Sequence, residues 1–501
     1  MKTAPAALVV AALGIRLAGA AETQAPPEQL LSKALGPTPV LDDLRELVDV
    51  IGGRPTGSKA LENATLWAVG KLQAAGLENV HLESYETPRL WVPREEHLEL
   101  TEPDLPGGSL RAAAMPFAAN TPLSGLEADV VDAGLGDDSG FRSAGDLEGR
   151  WVLVHSQPMK SLDDLFKEYL GMPAILSHLS QGGAAGLLYM SNRPGRLLYR
   201  HNVTLDGSIY PIPCVLVERE GALRISRLVA AGGRVRVVAR ILAEIPEGRS
   251  ASNVVGEIRG SFSPEEAVIL GAHLDSWDLG RGALDNGCNA ALVIDIARQM
   301  AALAKAGARP RRTLRFVLYS GEEAGLFGSM GEVRLHRKSL DQVRVQIVID
   351  EGSGRISGFS LGGRSDLEES VVRALRPAAA LGPFEHTKDA FVGTDNYDYL
   401  IEGVPTLVAN QDGPPYLPDY HAESDTYDKV DEREVKINDA ILSVLLWGLG
   451  AAQDLPKRQS RAEVEGLLKE TGLDEQMRTF GLLDDFAKGR RGRAALEAPG
   501  P

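Results

Sequence analysis

The second half of the chain alternates apolar strands with amphipathic helices, and this alternation most constrains the fold. From Ser252 onward, continuous apolar runs such as AVILGA, LRFVLYSG and VRVQIVI are separated by helical patterns such as NAALVIDIARQMAALAKAG. Strands that are apolar on both faces are typical of a sheet that is covered by helices on both sides. We therefore predict an α/β fold with a mixed, largely parallel central sheet flanked by helices.

A different pattern lies between about residues 120 and 244. Short strands, among them ADVVDAG, GRWVLVHS and PIPCVLV, are separated by glycine-rich turns, with only two helical patterns between them. We interpret residues 120–244 as a mostly β domain inserted into the main domain, which then comprises residues 38–119 and 245–455.

The two ends of the chain have compositions of their own. Residues 1–20 (MKTAPAALVVAALGIRLAGA) combine an early lysine, a short apolar run and small residues, which is typical of a secretory signal peptide. A buried or membrane helix is the alternative, but the run is too short to span a bilayer. Residues 21–37 are polar and suit a flexible leader, and residues 456–501 are charged and suit a solvated, helical or disordered tail. We expect a secreted or periplasmic protein.

The charge of the chain excludes some partners. Lys and Arg number 53 against 69 Asp and Glu, a formal net charge of -16, which repels phosphate backbones and anionic lipid. After the signal peptide, no segment approaches the roughly 18 consecutive apolar residues that a membrane helix needs. We expect no nucleic-acid partner and no membrane anchor.

Histidine and carboxylate residues follow three consecutive predicted strands. His273 and Asp275 come after AVILGA, Glu322 and Glu323 after LRFVLYSG, and Asp350 after VRVQIVI. In open α/β sheets, functional groups gather beyond the carboxyl ends of the strands. These side chains are therefore expected at one rim of the sheet.

Two further residues complete a candidate metal site. Asp285 lies in the loop GRGALDNG before a predicted helix, and His421 lies in the polar loop QDGPPYLPDYHAESDT. Two imidazoles and three carboxylates form a donor set suited to zinc or a related divalent ion. Two ions balance three carboxylates better than one ion does, since one would leave excess negative charge at a buried rim. Taken singly, each histidine could be an ordinary buried one, and Glu322 with Glu323 an ordinary helix start.

Four linked motifs resemble the di-zinc exopeptidase family of secreted aminopeptidases and glutamate carboxypeptidases. They are GAHLDSWDLGRGALDNG, RTLRFVLYSGEEAGLFG, VGTDNYDYLIEGVPTL and HAESDT, and IGGRPTGSKALENA extends the resemblance to the N-terminal unit. The resemblance covers most of residues 40–450 and implies the zinc exopeptidase fold. The stretches DLEGRWVLVHS and GGAAGLLYM resemble the protease-associated type of inserted domain found in such proteins.

The resemblance assigns a role to each metal-binding position. It implies that His273 and Asp350 bind one zinc ion, that Glu323 and His421 bind a second zinc ion, and that Asp285 bridges the two. The expected cofactor is therefore two zinc ions per chain.

The same resemblance implies three catalytic or supporting residues. Glu322 would be the general base that takes a proton from the attacking water and delivers it to the leaving amine. Asp275 would accept the ring N–H of His273 that is not used for metal, and Tyr420 would donate to the oxyanion. Asn286 stands where many relatives have a second aspartate joined to the bridging one by a cis peptide, which alters the charge beside the ligands.

The resemblance implies a metallo-exopeptidase whose substrates are small peptides, chiefly dipeptides with both ends free. Release of N-terminal amino acids by an aminopeptidase is the alternative within the same class. A non-catalytic, receptor-like protein is the alternative of another class, and the suitable residues at all five ligand positions argue against it. The oligomeric state is open, with a homodimer as one alternative.

Overall fold

The structure, a computed structural model, describes residues 24–246, 250–412 and 416–494. The predicted signal peptide, residues 1–20, lies outside these ranges. Within them, no helix has both the length and the apolar character needed to cross a bilayer.

The strands belong to two sheets. In chain order they are β1 (Glu78–Glu86), β2 (Val92–Glu102), β3 (Ser109–Leu110), β4 (Ala112–Ala114), β5 (Leu126–Asp132), β6 (Trp151–Val154), β7 (Gly186–Met190), β8 (Cys214–Val217), β9 (Arg236–Glu244), β10 (Ser250–Ile258), β11 (Ser263–His273), β12 (Arg312–Tyr319), β13 (Val343–Val348), β14 (Arg355–Ser360) and β15 (Thr406–Asp412).

The α-helices surround these sheets. They are α1 (Pro26–Leu35), α2 (Val40–Arg45), α3 (Lys59–Ala75), α4 (Asp138–Ala144), α5 (Leu162–Gln181), α6 (Arg219–Ala230), α7 (Cys288–Lys305), α8 (Phe327–Leu335), α9 (Glu368–Leu375), α10 (Tyr397–Ile401), α11 (Tyr416–Asp419), α12 (Glu432–Ala451), α13 (Arg461–Thr471), α14 (Leu473–Thr479) and α15 (Leu483–Ala487).

The first sheet has seven strands in the order β1-β10-β12-β11-β13-β15-β14. Its four neighbouring strands β12, β11, β13 and β15 are parallel, whereas β1, β10 and β14 pair antiparallel at the two edges. The predicted mixed α/β sheet is thus confirmed, with its parallel part at the centre. β11 lies between β12 and β13, which brings the ends of these three strands to one rim.

Both faces of this sheet are buried, as the apolar runs predicted. Val268 and Leu270 of β11 pack into the large core that includes α7 and α12, whereas Ile269 faces the smaller core that includes Val333 of α8. Because successive side chains of a strand point to opposite faces, a strand covered on both sides must be apolar throughout. This layering fixes the position of the loops at the strand ends.

The second sheet has eight strands, β3-β2-β9-β5-β6-β7-β8-β4, and all of them lie between β1 and β10 in the chain. The insertion therefore begins near Val92 and not at residue 120, because β2 pairs along its length with β9 and not with the first sheet. It also differs from a mostly β domain, since α4, α5 and α6 accompany a parallel core of β5 to β8. Its relation to the protease-associated type stays an expectation.

The predicted flexible leader contains a helix. α1 packs against α12, places Leu30 in the main core and buries Ala34 as well. Pro26 at its first position suits a helix start, because its missing N–H would have no partner there. Part of residues 21–37 is therefore a packed element of the main domain.

The C-terminal segment is helical, which is one of the two states expected for it, but its helices are packed on the protein and are not a solvated tail. Helices α13, α14 and α15 bury apolar residues such as Val464, Leu468 and Met477 in a core that they share with α10. α13 begins at a capping box in which the Ser460 hydroxyl and the Glu463 carboxylate each accept from the other residue's backbone. The charged composition reflects the outer faces of these short helices.

Candidate metal centre

The predicted site residues meet at one rim of the first sheet. His273 is the last residue of β11, Glu322 and Glu323 follow β12, and Asp350 follows β13. His273 and Glu323 are almost completely buried. The parallel central strands therefore bring these residues together, as the sequence pattern predicted.

His273 directs one ring nitrogen at two carboxylates. Its Nε2 lies 3.0 Å from Oδ1 of Asp350 and 3.3 Å from Oδ1 of Asp285. Its Nδ1 lies 3.0 Å from the backbone oxygen of Asp275, and 3.6 Å from the Asp275 carboxylate. The backbone carbonyl, and not the predicted carboxylate, is thus the nearer acceptor. A carbonyl can only accept, so Nδ1 carries the proton and Nε2 of the neutral ring presents a lone pair.

His421 repeats this arrangement. Its Nε2 lies 2.8 Å from Oε2 of Glu323 and 3.3 Å from Oδ2 of Asp285, and its Nδ1 lies 3.2 Å from the backbone oxygen of Arg200. The carbonyl again fixes the Nδ1–H tautomer, and the Nε2 lone pair faces carboxylate oxygens. In its neutral form, neither ring can satisfy both of its neighbours with a single proton.

The donor set fits a pair of divalent ions. Buried oxygens normally have hydrogen-bond donors, yet Oδ2 of Asp285 and both carboxylate oxygens of Glu323 have none among the described residues. The ligand atoms form two triads, His273 with Asp285 and Asp350, and Asp285 with Glu323 and His421, each within 4.8 Å. A cation in each triad would satisfy both the lone pairs and the orphaned oxygens. Asp285 belongs to both triads and is therefore placed to bridge.

The electrostatics of these groups follow from burial. Burial raises the pKa of Glu323 well above its usual value, and the neighbouring Asp285 carboxylate adds to the effect. Burial likewise lowers the pKa of His421 to about 4, so this imidazole is neutral near pH 7. For His273, burial lowers the pKa, but Asp350 and the other carboxylates outweigh it and hold the value well above normal. Excess negative charge on this scale is what a cation would neutralise.

Asp425 holds the loop that carries Asp285. Its Oδ1 accepts from the backbone N–H groups of Ala283 and Leu284 at 3.0 and 2.7 Å, and its Oδ2 accepts from that of Asp285 at 3.1 Å. The Asp285–Asn286 peptide is cis, and the Asn286 amide donates to the backbone oxygen of Ile349 at 2.9 Å. Sequence reasoning quoted Asp425 in the motif HAESDT but gave it no role.

The segment GGRPTGS supplies two supports that sequence reasoning missed. The Thr56 hydroxyl donates to Oδ2 of Asp275 at 2.6 Å. Arg54, which has no exposed surface, donates to the backbone oxygens of Leu274 at 2.7 Å and Gly282 at 3.0 Å. These contacts join the loops after His273 and before Asp285. The only sequence signal was that this segment carries part of the family resemblance.

A cleft of about 1120 Å³ opens onto the two triads. Glu322 lines this cleft, and burial raises its pKa well above the usual range. The Tyr420 ring stacks on His421 with ring centroids 3.7 Å apart, and its hydroxyl lies 3.4 Å from that of Tyr169. Tyr416, which sequence reasoning also missed, lines the cleft and lies beside Asp285.

The inserted unit forms part of the site. Besides the Arg200 carbonyl, it supplies Tyr169 of α5 to the cleft wall. Its Asn202 amide donates to the backbone oxygen of Glu323 at 2.7 Å. The cleft is therefore lined by residues of both the main domain and the inserted unit.

Comparison with known proteins shows similarity to peptidases. Residues 253–446 match the model of peptidase family M28. The chain is 29% identical over 413 residues to carboxypeptidase Q of Mus musculus, which covers 80% of this chain and 83% of that protein.

Two solved structures share the fold. A peptidase M28 precursor from Shewanella amazonensis superposes with a TM-score of 0.76 at 26% identity, covering 87% of this chain and 98% of that chain. A zinc aminopeptidase from Bacillus subtilis gives a TM-score of 0.65 at 18% identity, covering 84% and 96%.

Proposed function

Because the chain resembles carboxypeptidase Q and is a member of peptidase family M28, we propose that it is a secreted di-zinc exopeptidase that hydrolyses small peptides, chiefly dipeptides with both ends free. Its coarser class, a metallo-exopeptidase, follows from the family. One observation carries the metal assignment. Nε2 of the neutral His421 ring presents a lone pair 2.8 Å from Oε2 of Glu323, and this buried carboxylate has no hydrogen-bond donor among the described residues, an arrangement that suits a bound cation.

The residues of the two triads would hold the ions. His273 and Asp350 would bind one zinc ion, Glu323 and His421 would bind the other, and Asp285, which belongs to both triads, would be shared between them. When bound, zinc lowers the pKa of water toward about 7 and polarises the peptide carbonyl. The protein's own contribution is to fix both imidazoles through the carbonyls of Asp275 and Arg200.

Glu322 acts as the general base. It lies in the cleft beside the proposed metal ligand Glu323, and burial, which raises its pKa, makes it a stronger base than an ordinary carboxylate. It takes the proton from the attacking water and returns it to the amine as the peptide bond breaks. The remaining carboxylates of the centre are occupied as ligands, which leaves Glu322 for this step.

Tyr420 donates a hydrogen bond to the oxyanion that forms on the scissile carbonyl. Its ring is held against His421, and burial keeps its pKa well above the usual value, so the hydroxyl keeps its proton. Tyr416 offers a competing donor beside Asp285. Tyr420→Phe and Tyr416→Phe form a matched pair of variants, and the one with the larger loss of kcat identifies the donor.

The lining of the cleft suits a substrate with two free ends. Carboxylates such as Asp389 and Glu351 outnumber cations along it, which favours an α-ammonium group. Arg491 and Lys388 are the Lys and Arg side chains among the described lining residues. The Arg491 guanidinium already donates to both carboxylate oxygens of Asp398. Lys388 is therefore the lining cation that would bind the free C-terminal carboxylate of a substrate. Binding of both a free amine and a free carboxylate in one cleft favours dipeptides.

A substrate panel tests this proposal directly. Purified protein of measured zinc content is given a dipeptide, its N-acetyl form, its C-terminal amide and an aminoacyl anilide. We expect about two zinc ions per chain and a preference for the unblocked dipeptide. Lys388→Met should raise KM for the dipeptide and leave KM for the amide unchanged. The absence of bound zinc would contradict the metal assignment and favour a receptor-like protein.

The alternative is an aminopeptidase. The Bacillus subtilis neighbour, a zinc aminopeptidase, shares the fold, and the acidic cleft would bind a free N-terminus in either case. Efficient cleavage of the aminoacyl anilide and of the dipeptide amide would favour this alternative. Export is supported by the sequence of residues 1–20 alone, and N-terminal sequencing of the mature protein after expression with those residues tests it.

A further inference from the structure

A second group of imidazole and carboxylate side chains lies outside the metal centre. Glu83 of β1, Glu332 of α8 and His336, just after α8, place one ligand atom each within 4.8 Å of one another. Nε2 of His336 lies 2.8 Å from Oε1 of Glu83. The cluster joins β1 to α8, the first helix after Glu323 in the chain.

Glu332 is the unusual member of this cluster. Its side chain has no exposed surface, and among the described residues its carboxylate has only the neutral Tyr399 hydroxyl as a hydrogen-bond neighbour. The nearest cation is Arg315, at 3.9 Å, and that guanidinium is bound more closely by Glu257 at 2.8 Å. Oε2 of Glu83 is buried and has no hydrogen-bond donor within the described part of the chain. Orphaned oxygens of this kind are rare in folded proteins and call for a partner.

A second histidine faces the same carboxylate. Nδ1 of His81 lies 2.7 Å from the backbone oxygen of Asn79, and its Nε2 lies 3.1 Å from Oε1 of Glu83. A neutral imidazole that donates to the carbonyl turns a lone pair toward Glu83. This is the arrangement seen at His273 and His421 in the metal centre.

We propose that Glu83, Glu332 and His336 bind a further divalent transition metal ion such as Zn²⁺, with His81 as a fourth ligand. Two carboxylates and one or two imidazoles match the donor preference of zinc. The charges also match, since Glu257 balances Arg315 and a divalent cation balances the two remaining carboxylates. His336 keeps about a quarter of its side chain exposed, which gives the ion a path from solvent.

The role of this ion is to fasten α8 to β1. Glu332 lies in the helix that follows the loop of Glu322 and Glu323, His336 lies directly after that helix, and Glu83 belongs to the edge strand of the sheet. Ligands from two elements make the binding free energy of the metal part of the folding free energy. A proton is the competing occupant, because the hydrogen bond to Glu83 raises the pKa of His336.

Zinc analysis separates the two occupants. A background variant, His273→Ala with His421→Ala, removes one imidazole from each triad of the metal centre. After dialysis against micromolar Zn²⁺ and gel filtration, we expect about one ion per chain in this background and none after His336→Ala is added. Zn²⁺ should raise the thermal midpoint of the background protein and leave that of the triple variant unchanged.

Two further measurements keep the test independent of folding and of the proposed function. In the parent chain, His336→Ala and Glu332→Gln should each lower the zinc content by about one ion, whatever the metal centre holds. His97→Ala, which removes an exposed histidine 3.5 Å from Glu99, is the control and should leave the zinc content unchanged. Equal zinc content and equal thermal shifts with and without His336→Ala would overturn the proposal and assign the cluster to a protonated His336.

Discussion

Nδ1 of His421 lies 3.2 Å from the backbone oxygen of Arg200, so the inserted unit fixes the tautomer of an imidazole in the metal centre. The loop segment that supplies this carbonyl is held by the Arg200 side chain, which is fully buried. Its guanidinium donates to Asp278 at 3.0 and 2.7 Å, to Glu96, and to the backbone oxygen of Ala114 at 2.8 Å. The side chain therefore positions its own carbonyl.

Replacement of Arg200 should weaken zinc binding at His421 more than at His273. Arg200→Met leaves Asp278 and Glu96 without their cation, and we expect a loss of about 3–5 kcal/mol in the free energy of unfolding. Zinc affinity at the His421 position should fall by about 10- to 100-fold. Competition with a chelator measures the two affinities. Arg196→Met, which removes a half-exposed pair with Glu218, is the control, and an equal loss of zinc there would contradict the positioning role.

Glu322→Gln should keep both zinc ions and lose most turnover. Glutamine fills the same volume but cannot take a proton, so kcat should fall by about 100-fold or more while KM changes little. Elemental analysis and dipeptide hydrolysis measure the two quantities on the same sample. Parental turnover in the Gln variant would show that another group is the base.

Asp439→Asn should stabilise the protein near neutral pH. Burial, together with the neighbouring Asp295 carboxylate, holds the pKa of Asp439 well above its usual 3.8. The folded chain therefore keeps a proton that the unfolded chain releases, and stability falls as pH rises from 3.8 toward the folded value. Asparagine still accepts the hydrogen bond from Gln299 through its side-chain carbonyl oxygen. Because asparagine does not titrate, the variant does not lose this stability as the pH rises.

Urea unfolding at several pH values measures the effect of Asp439→Asn. We expect a gain of about 1–3 kcal/mol at pH 7 and a smaller difference near pH 4. Asp104→Asn, at an exposed position, should change stability by less than about 0.5 kcal/mol at both pH values. A variant less stable than the parent at pH 7 would mean that Asp439 is ionised in the folded chain.

Arg491→Leu should release the C-terminal helices. The Arg491 guanidinium donates to both carboxylate oxygens of Asp398 at 2.8 Å, and both side chains are buried. Removal of one partner of such a pair costs about 3–5 kcal/mol. Limited proteolysis should then cut before or within α13 faster than in the parent. Arg490→Leu, which removes exposed pairs with Asp484 and Asp485, should leave the cleavage rate unchanged.

The strand ends of the first sheet were predictable because their residues obey a local rule. His273, Glu323 and Asp350 each follow an apolar run, and parallel strands bring such positions to one rim. Asp285 and His421 lie in loops, and their places depended on the resemblance to a known family. The structure brings all five together, although it gives the Nδ1 of His273 a backbone acceptor in place of the predicted carboxylate.

Other features could not be read from the sequence because they depend on pairing over long distances. β2 (VPREEHLELTE) is mostly polar and alternates only around Leu98 and Leu100, so nothing local shows that its partner is β9 and not β1. Asp425 and Arg54 bind backbone groups, which carry no sequence signal of their own. The charges on α13 to α15 concealed a narrow apolar stripe that packs against α10.

The contacts of Arg54 limit how far the chain can be shortened. This residue lies about two hundred positions before the loops that it joins, and β1 similarly covers the β10 edge of the sheet. A polypeptide restricted to residues 253–446 would expose that edge as a template for aggregation. It would also leave the rim carbonyls without their donor, so we expect that the stretch matched by the family model does not fold into a working centre alone.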